Sequence, residues 1–313
     1  EAPGIRFGAT LSHAAAETLF AGAGTTVKSV LDRADKKGGK PKGFALKQPV
    51  SFERTSTRRT MSSPNVLAVL PGSDPALAHE YVLLMAHLDH EPVKAEGQDR
   101  IMNGAMDNAS GVATMLEVAR AMAESGTRPK RSILFAAVTA EEDGLLGSEY
   151  LAKHPVVDGK VVGVVNLDMP ILLYDFTDVV AFGAEHSSLG PIVRRAAESM
   201  GVALSPDPLP EQGLFTPSHH YRFVQEGIPS VFLMTGFANG GEKQFTHFLS
   251  TNYHRVSDQI DLPFNWQAGA KFARINYLIA KEVADAPEAP RWYANDFFGD
   301  TFAPGQPKMA RGQ

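Results

Sequence analysis

Tyr81-Val82-Leu83-Leu84-Met85-Ala86 is an unbroken apolar run that leads straight into His87-Leu88-Asp89. Six apolar residues without polar alternation predict a strand buried on both faces, as in a parallel sheet covered by helices. Ser132–Thr139 (SILFAAVT) and Val161–Leu167 (VVGVVNL) read the same way, and Asn65–Leu70 and Ser230–Met234 add shorter strands. Between them, Ser110–Glu124 repeats with helical period, placing Val112, Met115, Leu116, Ala119 and Met122 on one face, with Ser110 as cap and Gly126 beyond the end. Further helices are expected over Glu142–Lys153, Ser188–Met200 and Trp266–Val283. Strands alternating with helices predict an α/β fold with three layers: a mainly parallel, mixed central sheet with helices on both faces. Active sites in such folds collect outside the carboxyl ends of the strands.

Outward from this core, residues 49–285 are expected to form one catalytic domain, opening with an exposed strand in VSFERTSTRRT, Val50–Thr60. Residues 1–48 read as an appendage: a short helix from Ser12 to Gly22, a second over Val27–Ala34, then the basic loop KKGGKPKG, Lys36–Gly43. Residues 286–313 are expected to pack as an extended tail.

Composition narrows the chemistry. The 313 residues carry a net charge of -5, which leaves no basic surplus for a nucleic-acid partner. With no cysteine, a disulfide framework and a thiolate metal site are excluded, so a metal would sit on His, Asp and Glu. No apolar run reaches the roughly 18 residues of a membrane span. No signal peptide is read, and a chain starting at Glu1 rather than Met is expected to have lost a leading segment. Oligomeric state is not readable.

Polar residues cluster where the apolar strands end. His87 and Asp89 are two apart in extended chain and face the same way, so His87 can ligate a metal while Asp89 accepts a hydrogen bond from its other ring nitrogen. Asp107 lies in the glycine-flanked turn Asn103–Gly111, where its two carboxylate oxygens could bridge two cations. In Glu141-Glu142-Asp143, one Glu can ligate while its neighbour holds a water as general base. Asp168 follows strand 161–167, and His254 lies in YHRVSD. Singly, each has an ordinary alternative: a helix cap for Asp107, a solvated helix start for the acids, a turn residue for Asp168 and a plain surface His for His87 or His254. Together, His87, Asp107, Glu142, Asp168 and His254 supply two nitrogens and three carboxylates. Sharing Asp107 gives each of two ions three protein ligands, about 3.5 Å apart, with room for a bridging water. Nitrogen and oxygen ligation without sulfur suits two Zn²⁺, with Mn²⁺ or Co²⁺ as alternatives.

The segments AHLDH, NGAMDNASGVATMLE, AVTAEEDGLLGSEYL, NLDM and YHRVSD resemble, in order, the signature blocks of the co-catalytic zinc peptidases. That family includes secreted bacterial leucine aminopeptidases, glutamate carboxypeptidase and, more distantly, glutaminyl cyclases. The likeness covers about residues 60–285. It implies the five ligands above, Glu141 as general base, Asp89 behind His87 and a cis Asp107–Asn108 peptide. It also implies that residues 1–48 include a remnant of a protease-associated domain, and a secreted or periplasmic location. The pattern departs at Ser218-His219-His220, where relatives carry Ser-Asp, and at Phe215, where some carry a Tyr that holds the oxyanion; Tyr221 is the nearby substitute. The His219-His220 pair is read as surface residues rather than a third metal site.

The expected function is therefore removal of an apolar N-terminal residue from peptides through a metal-bridging water, with Glu141 as base. Met169, Phe215, Tyr221, Phe248 and Tyr253 are the candidates to line the side-chain pocket, and Asp143 or Glu149 to meet the α-ammonium. The competing readings are a carboxypeptidase or glutaminyl cyclase on the same fold, and a silent metal-bound binding module.

Overall fold

The computed structural model describes residues 8–311. These fall into two compact units, divided after Met61. The N-terminal unit contains α1 (His13–Leu19), capped by Ser12, and α2 (Val27–Ala34), where Thr26 and Ser29 form a reciprocal capping box. Neither helix buries a side chain. The strand expected over Val50–Thr60 is not formed; no strand is assigned there and its side chains are exposed. Its alternation is that of a solvated chain, since period two alone supplies no edge to pair with.

The second unit is built on β1 (Val66–Leu70), β2 (Glu80–His87), β3 (Ser132–Val138), β4 (Lys160–Leu167), β5 (Asp178–Phe182), β6 (Ala203–Ser205) and β7 (Ser230–Thr235). They form one sheet in the order β1-β3-β2-β4-β7-β5-β6. β3, β2, β4 and β7 run parallel, β1 pairs antiparallel to β3 and β5 antiparallel to β7, and β6 is parallel to β5. The sheet is thus mixed with a parallel centre, as expected. β5 and β6 were not expected from the sequence; β6 has only three residues.

Alternation along β2 explains its continuous hydrophobicity. Val82, Leu84 and Ala86 join the core beneath α3 (Ser110–Glu124), α5 (Leu189–Ser199) and α8 (Trp266–Asp285). Tyr81, Leu83 and Met85 join the opposite core, which holds Leu151 and Ala152 of α4 (Leu146–Lys153) and Phe223 of α6 (His220–Gln225). A strand facing two cores has no place for a polar residue until it ends.

Two further features differ from expectation. α4 begins at Leu146 rather than Glu142, because Ala140 (φ 52°) and Leu145 (φ 65°) are left-handed and bracket a turn. Residues 286–313 are not simply extended: α9 (Phe297–Phe302) is capped by Asp296, and Trp292 is buried, its indole N–H donating to Gly227 O at 2.8 Å. α7 (Gly241–Thr251) completes the unit and leads into the loop carrying His254.

Candidate metal centre

The parallel register puts the ends of β2, β3 and β4 side by side; His87 pairs with Val138, and Met85 with Asn166. His87 closes β2, Glu141 and Glu142 lie in the turn after β3, and Asp168 follows β4. Opposite them, the turn before α3 presents Asp107, and the loop after α7 brings His254, itself left-handed at φ 54°.

The turn carrying Asp107 is held from several sides. The buried carboxylate of Asp258 accepts from Met106 N–H at 2.8 Å and Asp107 N–H at 3.0 Å, and its backbone oxygen accepts from Ala105 N–H at 3.3 Å. Asn108 donates to Leu167 O at 3.0 Å and accepts from the N–H groups of Gly111 and Met169, each at 3.1 Å. Gly111 is obligatory in this arrangement: a Cβ there would lie 2.2 Å from Asn108 Oδ1 and 2.6 Å from Leu167 O. The Asp107–Asn108 peptide is cis, as the resemblance implied.

This scaffold splits the Asp107 carboxylate between two clusters. Oδ1 lies 3.2 Å from His87 Nε2, which is 3.3 Å from Asp168 Oδ1. Oδ2 lies 3.3 Å from His254 Nε2, which is 3.3 Å from Glu142 Oε2. For metal–ligand bonds of about 2.0 Å, a tetrahedral arrangement sets neighbouring donor atoms about 3.3 Å apart. The side chains therefore fit a pair of zinc-sized cations sharing Asp107. The five expected ligands come together, and Glu141 lies beside them, grouped with Asp168 and His219.

Electrostatics follow from burial and this crowding of acids. Burial pushes the Glu141 carboxyl up to about 8, with Asp168, Glu142 and Asp107 adding and His87 opposing. Burial would lower the His87 pKa, but Asp107 and Asp168 outweigh it and hold the imidazole well above its usual value. For Asp107, burial is outweighed by His254 and His87, which keep it ionised. His254 is raised by Asp107 and Glu142 against a smaller effect of burial.

Several expectations are corrected. Asp89 does not accept from His87 through its carboxylate: Nδ1 of His87 lies 3.1 Å from the Asp89 backbone oxygen and 3.9 Å from Oδ1. The carboxylate instead accepts from Glu142 N–H at 3.3 Å, because the chain turns away after His87. His219 and His220 are not surface residues; each is 0% exposed, and burial lowers their pKa values to about 4 and about 3.

The pocket candidates divide. Met169 and Tyr253 are half-buried beside the ligands, the Tyr253 ring stacked on His254 at 3.8 Å between centroids. Phe248 is 0% exposed and belongs to the core. Phe215 is buried, and with half-buried Tyr221 it joins a cluster containing His186, His220 and Phe298. An apolar residue near a site in sequence is as readily claimed by the core beneath it. Asp143 is exposed, and Glu149 pairs with Lys153 and, at 3.3 Å, with Arg222.

Functional neighbours not singled out from sequence are Asp258, Asn108, Ser218, His90 and Glu91. Ser218 donates to Asp168 Oδ2 at 2.9 Å and accepts from Asn166 Nδ2 at 2.9 Å. His90 Nδ1 lies 3.0 Å from Glu142 Oε1, and Glu91 Oε1 lies 3.3 Å from His254 Nδ1. Four of these five lie inside or directly beside the quoted blocks, so position in a block was the available signal; Ser218 was marked only as a departure from the family pattern.

Residues 65–280 match the model of peptidase family M28. The chain belongs to that family. Among similar proteins, a "Probable zinc metalloprotease" of Pyrenophora teres f. teres is 38% identical over 108 residues, covering 33% of this chain and 22% of that protein. Among solved structures, the LapA aminopeptidase of Legionella pneumophila superposes with a TM-score of 0.56 at 25% identity, over 72% of this chain and 57% of that one. BSAP, a zinc aminopeptidase from Bacillus subtilis, gives 0.55 at 23% identity, over 72% and 51%. The chain thus spans less than two thirds of each relative's length. Membership of M28 accounts for the mixed sheet with its parallel centre.

Proposed function

We propose that this M28 chain is a zinc-dependent aminopeptidase that releases an apolar N-terminal residue from peptides. The observation that carries the proposal is the division of Asp107: one oxygen faces His87 and Asp168, the other His254 and Glu142, each donor pair 3.2–3.3 Å apart. The five ligands would hold two Zn²⁺, and bound cations would polarise the scissile carbonyl.

Glu141 is the group available to move protons. It ligates neither cluster through the contacts above, it lies in the turn after β3 grouped with Asp168 and His219, and its carboxyl is pushed up to about 8 by burial. In the loaded enzyme, added positive charge favours the ionised form, so Glu141 takes a proton from the attacking water and returns it to the leaving amine. Met169 and Tyr253 are the side chains best placed to meet the substrate's first residue. Peptides are the proposed partners, and a secreted or periplasmic location rests on the resemblance to secreted bacterial aminopeptidases. Residues 1–48 are proposed to derive from a protease-associated domain.

The test is hydrolysis of leucyl and phenylalanyl anilides beside their N-acetylated counterparts, with metal content measured on the same protein. Turnover of free-amine substrates by protein carrying two ions is the expected result. Equal turnover of acetylated substrates, or release of C-terminal residues only, would overturn the aminopeptidase reading.

A further inference from the structure

The two clusters are supported unequally. His87 ends a strand and is buried, and its outward Nδ1 meets the backbone oxygen of Asp89 at 3.1 Å. His254 has neither advantage: it sits in a loop at φ 54° with its side chain 32% exposed. Its outward Nδ1 instead faces Glu91 Oε1 at 3.3 Å. Glu142 also has a free oxygen to restrain. Its Oε2 faces His254 Nε2, while Oε1 lies 3.0 Å from His90 Nδ1. A carboxylate only accepts, so that His90 nitrogen carries the hydrogen. The His90 ring is seated: it packs edge-on against His254 at 5.8 Å between centroids, and a Cβ on Gly104 would come within 2.8 Å of it.

We infer that His90 and Glu91 are positioning residues for the second cation subsite, that of Asp107, Glu142 and His254. His90 occupies the outer oxygen of Glu142, so the carboxylate offers one oxygen inward. Glu91 fixes the proton of His254 on Nδ1, which leaves the Nε2 lone pair for the ion. Groups of this kind commonly change metal affinity about 10–100-fold. The consecutive residues His87 to Glu91 then serve both subsites, as ligand in the first and as supports in the second. This inference rests on the two-cation reading.

The experiment titrates Zn²⁺ against a competing chromophoric chelator, with bound metal counted after dialysis. His90→Phe keeps the ring and removes the donor, His90→Asn returns an N–H near the Nδ1 position, and Glu91→Gln alters the half-exposed support and leaves the core untouched. The wild-type chain is expected to bind two ions. His90→Phe should keep one at wild-type affinity and weaken the other about 10–100-fold. His90→Asn should recover most of that loss, and Glu91→Gln should weaken the same ion. Two ions bound with unchanged affinity in both His90→Phe and Glu91→Gln would overturn the inference alone. Equal weakening of both ions would also overturn it, as a general structural effect. A wild-type chain that binds fewer than two ions would overturn the two-cation reading and this inference with it. If His90→Phe fails to fold, Glu91→Gln decides.

Discussion

Replacing Asp258 by Asn should loosen the turn that presents Asp107. The side chain is 0% exposed, and its two oxygens accept from Met106 N–H at 2.8 Å and Asp107 N–H at 3.0 Å. Asn keeps one acceptor and turns an NH₂ group toward the second N–H. One charge-assisted hydrogen bond is lost, worth about 1.5–3 kcal/mol, and one buried N–H is left without a partner at about 1–3 kcal/mol. Against this, burial raises the Asp258 pKa, with the two backbone donors opposing, so the neutral amide recovers part of the loss. The net expectation is destabilisation of about 3 kcal/mol. Urea unfolding of metal-free protein measures it directly, and the same change should lower the melting temperature by about 2–4 °C per kcal/mol. Zinc affinity should fall as well, since the displaced donor lies on Asp107 itself. A variant within about 0.5 kcal/mol of wild type, with unchanged zinc affinity, would refute the reasoning that Asp258 holds the turn.

Glu141→Gln removes the proposed base and no ligand; turnover should drop about 10²–10⁴-fold with metal content unchanged, and near-normal turnover would remove Glu141 from that role. Phe248→Ala should cost about 3–5 kcal/mol of stability, because the ring is core, with little change in first-residue preference; a specificity change at full stability would return it to the pocket. The raised pKa values of His87 and His254 mean that the metal-free fold gains from their protonated forms below the unfolded value of about 6.5, and loses that gain as pH rises through the folded values. Zinc needs the neutral imidazoles, so protons compete with it. Zinc affinity should therefore rise from pH 6 to pH 8, with protons released on binding, as calorimetry in buffers of different ionisation enthalpy would show; pH-independent affinity would contradict this.

The central strands and the proposed ligands at their ends were legible because both follow from one constraint. β2 faces two cores, so its residues are apolar until His87, where the chain leaves the sheet and chemistry begins. The same logic exposed Glu141, Glu142 and Asp168. What escaped was whatever depends on a partner far along the chain. Asp258 reaches back to Met106 and Asp107, a pairing that no local period announces. His219 and His220 were misread because sequence alone does not show that their rings turn in against His87 of β2 and Phe232 of β7. Phe248 shows the converse: an aromatic close to His254 in sequence is claimed by the main core, and Phe215, marked by the family pattern, is claimed by packing with Phe298. The strand expected over Val50–Thr60 had the right alternation, yet its side chains stay exposed and no strand forms.

The division of the Asp107 carboxylate makes the two proposed subsites a single thermodynamic object. An ion bound through Oδ1 would fix the plane in which Oδ2 is offered to the other, while its charge opposes a second ion close by. Whichever of these effects is larger, it acts equally in both directions: the factor by which the first ion changes the affinity of the second is the factor by which the second changes that of the first. Loading is then described by one coupling constant in addition to two intrinsic affinities. A mixed-metal enzyme prepared by adding ions in either order must reach the same final distribution at equilibrium, with Asp107, held in place by Asp258 and Asn108, as the group both ions would share.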